Sequence, residues 1–133
     1  MKNWYDPKKI NLGQVGGVAI DSVRGNVIIF HRGSQKWDYE YEFHDWKKFS
    51  FENEFIFSFS SFNGDNVFNT RKYSVIPEDT IVVLNSNTGK FVKSWGAHMF
   101  YMPHGITVDP MGDIWVTDVA RHQVNFKKNS TLI

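Results

Sequence analysis

Cysteine is absent from the 133 residues, so neither a disulfide framework nor a thiolate metal site can stabilise the chain. That absence removes one argument for an oxidising compartment without placing the protein in the cytosol. An excess of one charge is missing too. The formal net charge is +1, which gives no basic field for nucleic acid. The pairs Lys47-Lys48 and Lys127-Lys128 read as solvated faces. No apolar run is long enough to cross a bilayer, and Met1-Lys-Asn-Trp-Tyr-Asp-Pro7 lacks the apolar core of a signal peptide. Common catalytic signatures are also missing: there is no HExxH, phosphate loop, nucleophile elbow or paired-carboxylate motif.

What the chain does have is apolar material, including 12 phenylalanines, which argues against disorder. It also has an internal repeat. Gly105 to Asp109 alternates small or apolar with polar residues, and Ile114 to Thr117 is apolar and β-branched, so each reads as a strand. Between them Asp109-Pro-Met-Gly-Asp113 is turn chemistry. An earlier stretch follows the same plan: Gly17-Val-Ala-Ile-Asp21, the turn Ser22-Val-Arg-Gly25, then Asn26-Val-Ile-Ile-Phe-His-Arg32. Aligning Gly17 with Gly105 puts Asp21 on Asp109. With one extra residue in the first turn, Gly25-Asn26 falls on Gly112-Asp113. Two copies of one strand–turn–strand unit point to repeated β architecture.

In chain order, residues 1–13 are a polar leading segment. Residues 17–32 form a strand pair, and Thr80-Ile-Val-Val-Leu84 with Lys90-Phe-Val-Lys-Ser-Trp95 forms a hairpin across an Asn/Gly turn. Four antiparallel strands make one propeller blade. The reading is therefore all-β, a propeller fragment of about one and a half blades spanning 14–133. Blade one covers 14–98 with an insertion at 37–78. Blade two begins at 99–124 and stops after its second strand, and 125–133 is a divergent tail. The Phe/Ser run inside the insertion, Phe55-Ile-Phe-Ser-Phe-Ser-Ser-Phe62, alternates at period two and has no chemical role that its residues suggest.

Propeller sites lie where innermost strands and their loops converge on the central channel. His104 precedes the first strand of its repeat, and Arg32 ends the second strand of the other. A neutral imidazole is a common metal ligand, and a fixed guanidinium suits a carboxylate. The plainer readings are a turn histidine and a strand-end ion pair. His31 and His122 read as structural, while nothing singles out His44 or His98. Asp21, Asp109 and Asp118 stand at strand ends, where carboxylates cap turn amides. The residues alone lead to a β-repeat protein with a candidate histidine metal site.

Several blocks extend this reading. They are Leu12-Gly-Gln-Val-Gly-Gly-Val-Ala-Ile-Asp21, Val27-Ile-Ile-Phe-His-Arg-Gly33 with Trp37-Asp38, Glu78-Asp-Thr-Ile-Val-Val-Leu84, and Phe100-Tyr-Met-Pro-His-Gly-Ile-Thr-Val-Asp109 with Ile114 to Val124. Together they resemble the peptidyl-α-hydroxyglycine α-amidating lyase family, the lyase part of the peptidylglycine α-amidating enzyme. That family is a six-bladed propeller of NHL-type repeats that splits a peptide ending in α-hydroxyglycine into the peptide amide and glyoxylate. The resemblance implies that His104 is one of three histidine ligands to a catalytic zinc. It implies that Arg32 is the active-site arginine, and that the backbone carbonyls of Val18 and Ile106 help hold a structural calcium. It further implies a peptide substrate, a monooxygenase domain in cis or in trans, and work in the secretory pathway or outside the cell.

The family's other zinc histidines, its catalytic tyrosine and its calcium aspartate belong to later blades. On this reading the chain is incomplete. The alternatives are a non-catalytic NHL-repeat binding module and an inactive fragment.

Overall fold

The computed structural model describes residues 4–35 and 74–127, and every regular element in them is a strand. The first sheet is a four-stranded antiparallel meander of β1 (Val15–Asp21), β2 (Asn26–His31), β3 (Ile81–Asn85) and β4 (Phe91–Trp95). The second contains β5 (Pro103–Val108), β6 (Ile114–Asp118) and β7 (Gln123–Lys127), also antiparallel. Strand pairs and hairpin fall where the sequence pattern puts them, and the architecture is that of a partial β-propeller. Strand β7 lies beyond what the pattern predicts. It gives the second sheet a third strand that reaches into the stretch read as a divergent tail.

The central strands are apolar at consecutive positions because both faces of the first sheet are covered. Ile28, Phe30, Ile81 and Val83 face the second sheet, where they meet Ile114, Val116 and Phe100. The Phe30 and Phe100 rings pack edge to face, with centroids 5.0 Å apart. On the opposite face Ile29, Val82 and Leu84 are covered by Ile10, Tyr5 and Leu12 of the leading segment. That segment is pinned to the β3–β4 turn by Trp4 Nε1, which donates to the Ser86 carbonyl at 2.9 Å. Lys127 of β7 lies over the Trp95 ring of β4, 4.4 Å from its centroid, and so ties the two sheets together.

The turns form as their residues dictate. Asp109 accepts the N–H groups of Met111 and Asp113 on Oδ1, and Gly112 takes a φ of 82°. In the first repeat Asp21 accepts the Arg24 N–H on Oδ1 and pairs with the Arg24 guanidinium through Oδ2 at 3.2 Å. The Arg24 side chain in turn lies against Gly112 of the second turn. Ile76 and Glu78, at the end of the stretch read as an insertion, are among the described residues. Ile76 is fully buried and donates its N–H to the Phe100 carbonyl. The Phe/Ser run lies outside the described residues.

Candidate functional site

Strands β1 and β5 begin with the same irregularity. The register slips between Val15 and Gly17 in one and between Pro103 and Gly105 in the other. The extra residue is Gly16 in β1 and His104 in β5, so the two bulges occupy equivalent places in the repeat. A bulge re-aims the side chain it carries. In β5 that side chain is the His104 imidazole, which is exposed. Thr117 Oγ1 closes this bulge by accepting the Gly105 N–H at 2.8 Å. The strands approach closely because β1 has glycines there. A Cβ on Gly16 would lie 2.6 Å from the Pro103 carbonyl oxygen, and one on Gly17 would lie 3.1 Å from that of His104.

Arg32 leaves the end of β2 and reaches into this contact. Its Nε donates to the Pro103 carbonyl at 3.0 Å, and its Nη1 donates to Gln14 Oε1 at 2.9 Å. Its own backbone N–H donates to the Gln14 carbonyl at 2.9 Å. The guanidinium of one repeat is thus held on the residue next to His104 of the other. The chain separation of 71 residues between Arg32 and Pro103 is closed by the fold alone.

Beneath Arg32, His31 is buried and accepts the N–H groups of Gly13 and Gly33 on Nδ1, at 3.2 and 3.1 Å. Burial pushes the His31 imidazole below its ordinary value of 6.5, and the Glu78 charge, the Asp79 backbone and the Asp79 charge pull it partly back. Ser34 holds the Glu78 carboxyl below the usual carboxylate range by hydrogen bonding, with the Ser34 N–H donating to Glu78 Oε1 at 3.2 Å. Sequence reasoning missed Gln14, the Pro103 carbonyl and the Nδ1 acceptor. The repeat alignment carries the one available signal, because past the first turn it sets His31 on Asp118, and Asp118 also accepts amides flanking its strand end.

Val18 and Ile106 occupy equivalent positions on β1 and β5, each one residue past its glycine. Val18 is exposed, and Ile106 packs against the inter-sheet core. Among the described residues no three His, Cys, Asp or Glu side chains converge to hold a metal ion. A solvent-facing imidazole suits a zinc ligand, but His104 by itself is not a zinc site, which takes three protein ligands or more. His98 and His122 are exposed turn residues with positive φ, and His44 lies outside the described residues. A groove of about 780 Å³ between the leading segment and the β3–β4 turn is lined by Trp4, Lys8, Lys9, Thr88 and Phe91, and by neither Arg32 nor His104. The shape of that groove follows from how the leading segment packs, and Arg32 and His104 lie elsewhere.

Residues 100–124 match the NHL repeat. The chain is 37% identical over 123 residues to peptidyl-alpha-hydroxyglycine alpha-amidating lyase 2 of Drosophila melanogaster, covering 92% of this chain and 25% of that protein. It is 36% identical to lyase 1 of the same fly, covering 92% of this chain and 19% of that protein. It is 41% identical to peptidylglycine alpha-amidating monooxygenase of Rattus norvegicus, covering 84% of this chain and 9% of that protein. The chain is therefore a homologue of the α-amidating lyases over most of its length, and it spans about a quarter or less of the length of these relatives.

Proposed function

We propose that this chain carries part of the active site of a peptidylamidoglycolate lyase, a zinc-dependent carbon–nitrogen lyase acting in peptide amidation. The reaction breaks the bond between the amide nitrogen and the hydroxylated glycine carbon. The nitrogen gains a proton, the hydroxyl loses one, and peptide amide and glyoxylate separate. The single observation that supports this reading is the 3.0 Å hydrogen bond from Arg32 Nε to the Pro103 carbonyl, which brings the guanidinium beside His104. There Arg32 would meet the glycolate carboxylate and the negative charge that builds on the departing carbonyl oxygen.

In the same reading His104 is one zinc ligand, with its partner histidines in later blades of the propeller. The carbonyls of Val18 and Ile106 contribute to a structural calcium. Zinc bound there would lower the pKa of a hydroxyl group. The reading puts the protein's work in the secretory pathway or outside the cell. It also links the protein to a peptidylglycine monooxygenase activity, in cis or in trans, that supplies the hydroxylated peptide. Two of its relatives support this link by name, being called alpha-amidating monooxygenases.

The test is release of glyoxylate and amide from a peptide ending in α-hydroxyglycine, with zinc present. Arg32→Ala is expected to lower kcat/KM by about 10²–10³-fold, the cost of losing a preorganised donor to developing charge. Turnover indifferent to that change removes Arg32 from the site. Absence of any turnover in the zinc-loaded wild type favours a non-catalytic NHL-repeat module or an inactive fragment.

A further inference from the structure

We infer that His31 is a positioning residue for Arg32, its Nδ1 fastening together the two backbone segments between which the arginine is held. The inference deepens the proposed role of Arg32 and rests on it for its functional meaning. One donor to Nδ1 is Gly33, the residue after Arg32. The other is Gly13, the residue before Gln14. Gln14 in turn holds Arg32 twice, through its backbone carbonyl and through Oε1. A single ring nitrogen therefore fixes both the departure of the chain from Arg32 and the segment that grips its guanidinium.

The surroundings are built to this shape. A Cβ on Gly13 would overlap the Gly33 carbonyl. Gly33 itself has a φ of 55°, and a Cβ there would lie 2.7 Å from Ile76 Cγ2.

Two N–H donors aimed at Nδ1 fix the state of the ring. Nδ1 must be unprotonated, so the neutral ring carries its proton on Nε2, a tautomer assigned from the hydrogen-bond network. Nε2 faces the Asp79 backbone, which favours a proton on the ring, without forming a well-directed hydrogen bond among the described residues. A side chain present only for packing would not need this buried polar edge.

The second repeat shows what the position is for. Asp118 pairs with Pro103 as His31 pairs with Val15. It accepts N–H groups from Tyr101, Met102 and Ala120, the segments on either side of its own strand end. Both repeats use an acceptor there. The repeat that bears the arginine uses an uncharged one.

Protonation would put an N–H on Nδ1 against the two amide donors and open the knot. Among the described residues, the charged groups around the ring are Arg32, which follows it in the chain, and Glu78 and Asp79 on the segment leading into β3. The Gly13–Val15 side offers none. Both carboxylates favour the charged ring, and burial opposes it more strongly.

The experiment is nitrogen NMR on the full chain, following the two imidazole nitrogens of His31 and the solvent protection of the Arg32 Nε–H across the histidine titration range. In wild type we expect a pyridine-type Nδ1 and a protected Arg32 Nε–H, with protection lost as His31 takes up a proton. His31→Asn keeps a neutral acceptor near the Nδ1 position, so protection is expected to persist and to be flat with pH. His31→Ala should lose protection at every pH and lower lyase kcat by about 10²-fold, the scale of a misplaced positioning group.

Wild-type protection in His31→Ala, or protection that ignores the His31 titration, overturns the inference. Should His31→Ala not fold, the pH comparison of wild type with His31→Asn decides it alone. Arg32→Ala is the separate control. Turnover indifferent to it would remove the lyase role of Arg32, while the NMR measurements would still decide whether His31 holds the arginine in place.

Discussion

Asp118 is 1% exposed and takes three backbone N–H groups, from Tyr101 at 2.8 Å, Met102 at 3.2 Å and Ala120 at 3.0 Å. It shapes the loop that delivers Pro103 and His104 to the start of β5. Asp118→Ala strands those amides in a dry environment, at about 1–3 kcal/mol for each donor that water cannot reach. We expect a loss of about 3 kcal/mol in chemical denaturation, with Asp118→Asn recovering part of it through its remaining carbonyl oxygen. Equal losses in the two variants would mean that charge, not hydrogen-bond acceptance, is what the site needs. Strand-end carboxylates are readable from the sequence as caps, and Asp21, Asp109 and Asp118 all act as such. Arg32 and His104 are readable as candidates by residue type. Their juxtaposition is not, because it runs through the Pro103 carbonyl and an ordinary glutamine, which no residue pattern marks.

Between the two sheets, β1 and β5 approach closely at their bulges. Gly16→Ala would drive a methyl group to 2.6 Å from the Pro103 carbonyl oxygen and 3.0 Å from its carbon. Both are backbone atoms that cannot rotate away. Overpacking of this kind costs about 1–3 kcal/mol, and here it would spread the strands where Arg32 Nε meets Pro103. Gly105→Ala meets only the Thr117 hydroxyl, at 2.9 Å, and that side chain can turn aside by giving up the hydrogen bond it accepts from the Gly105 N–H. The expected order is a clearly lower melting temperature and weaker Arg32 Nε–H protection for Gly16→Ala, and smaller changes for Gly105→Ala. The reverse order would show that β1 and β5 do not rely on each other.

Alternation and turn residues make six of the seven strands among the described residues legible, because the hydrophobic period and the Gly, Asn and Asp turns agree with the tertiary structure. Strand β7 is not legible. Gln123-Val-Asn-Phe-Lys127 is largely polar, and it pairs because β6 offers an open edge of backbone donors and acceptors. Ile76 is likewise hidden. Its burial against Phe100 comes from a contact distant in the chain, with no periodicity around it.

Across the whole molecule, stability depends on the two sheets staying closed over Phe30, Phe100, Ile114 and Val116, and the buried His31 beneath Arg32 makes that closure sensitive to acid. His31 has a native value below 6.5, chiefly through burial. Below that pH the unfolded chain binds a proton that the folded chain refuses, so ν_U exceeds ν_N and stability falls as the solution is acidified. The contribution is complete above 6.5 and is lost on the way down towards the lowered native value. Glu78 is lowered from 4.5, chiefly by Ser34, and Asp109 from 3.8, chiefly by the Trp115 indole N–H. Their contributions are complete above those ordinary values and are lost at lower pH. Both carboxyls are exposed enough that solvent screens most of the effect. Denaturant midpoints measured from neutral pH downward should therefore drop in two stages, with the histidine stage first. In His31→Asn the first stage should vanish while the second remains. A first stage that survives this substitution would assign the acid sensitivity to a group other than the buried imidazole and would leave the sheets' closure independent of the knot beneath Arg32.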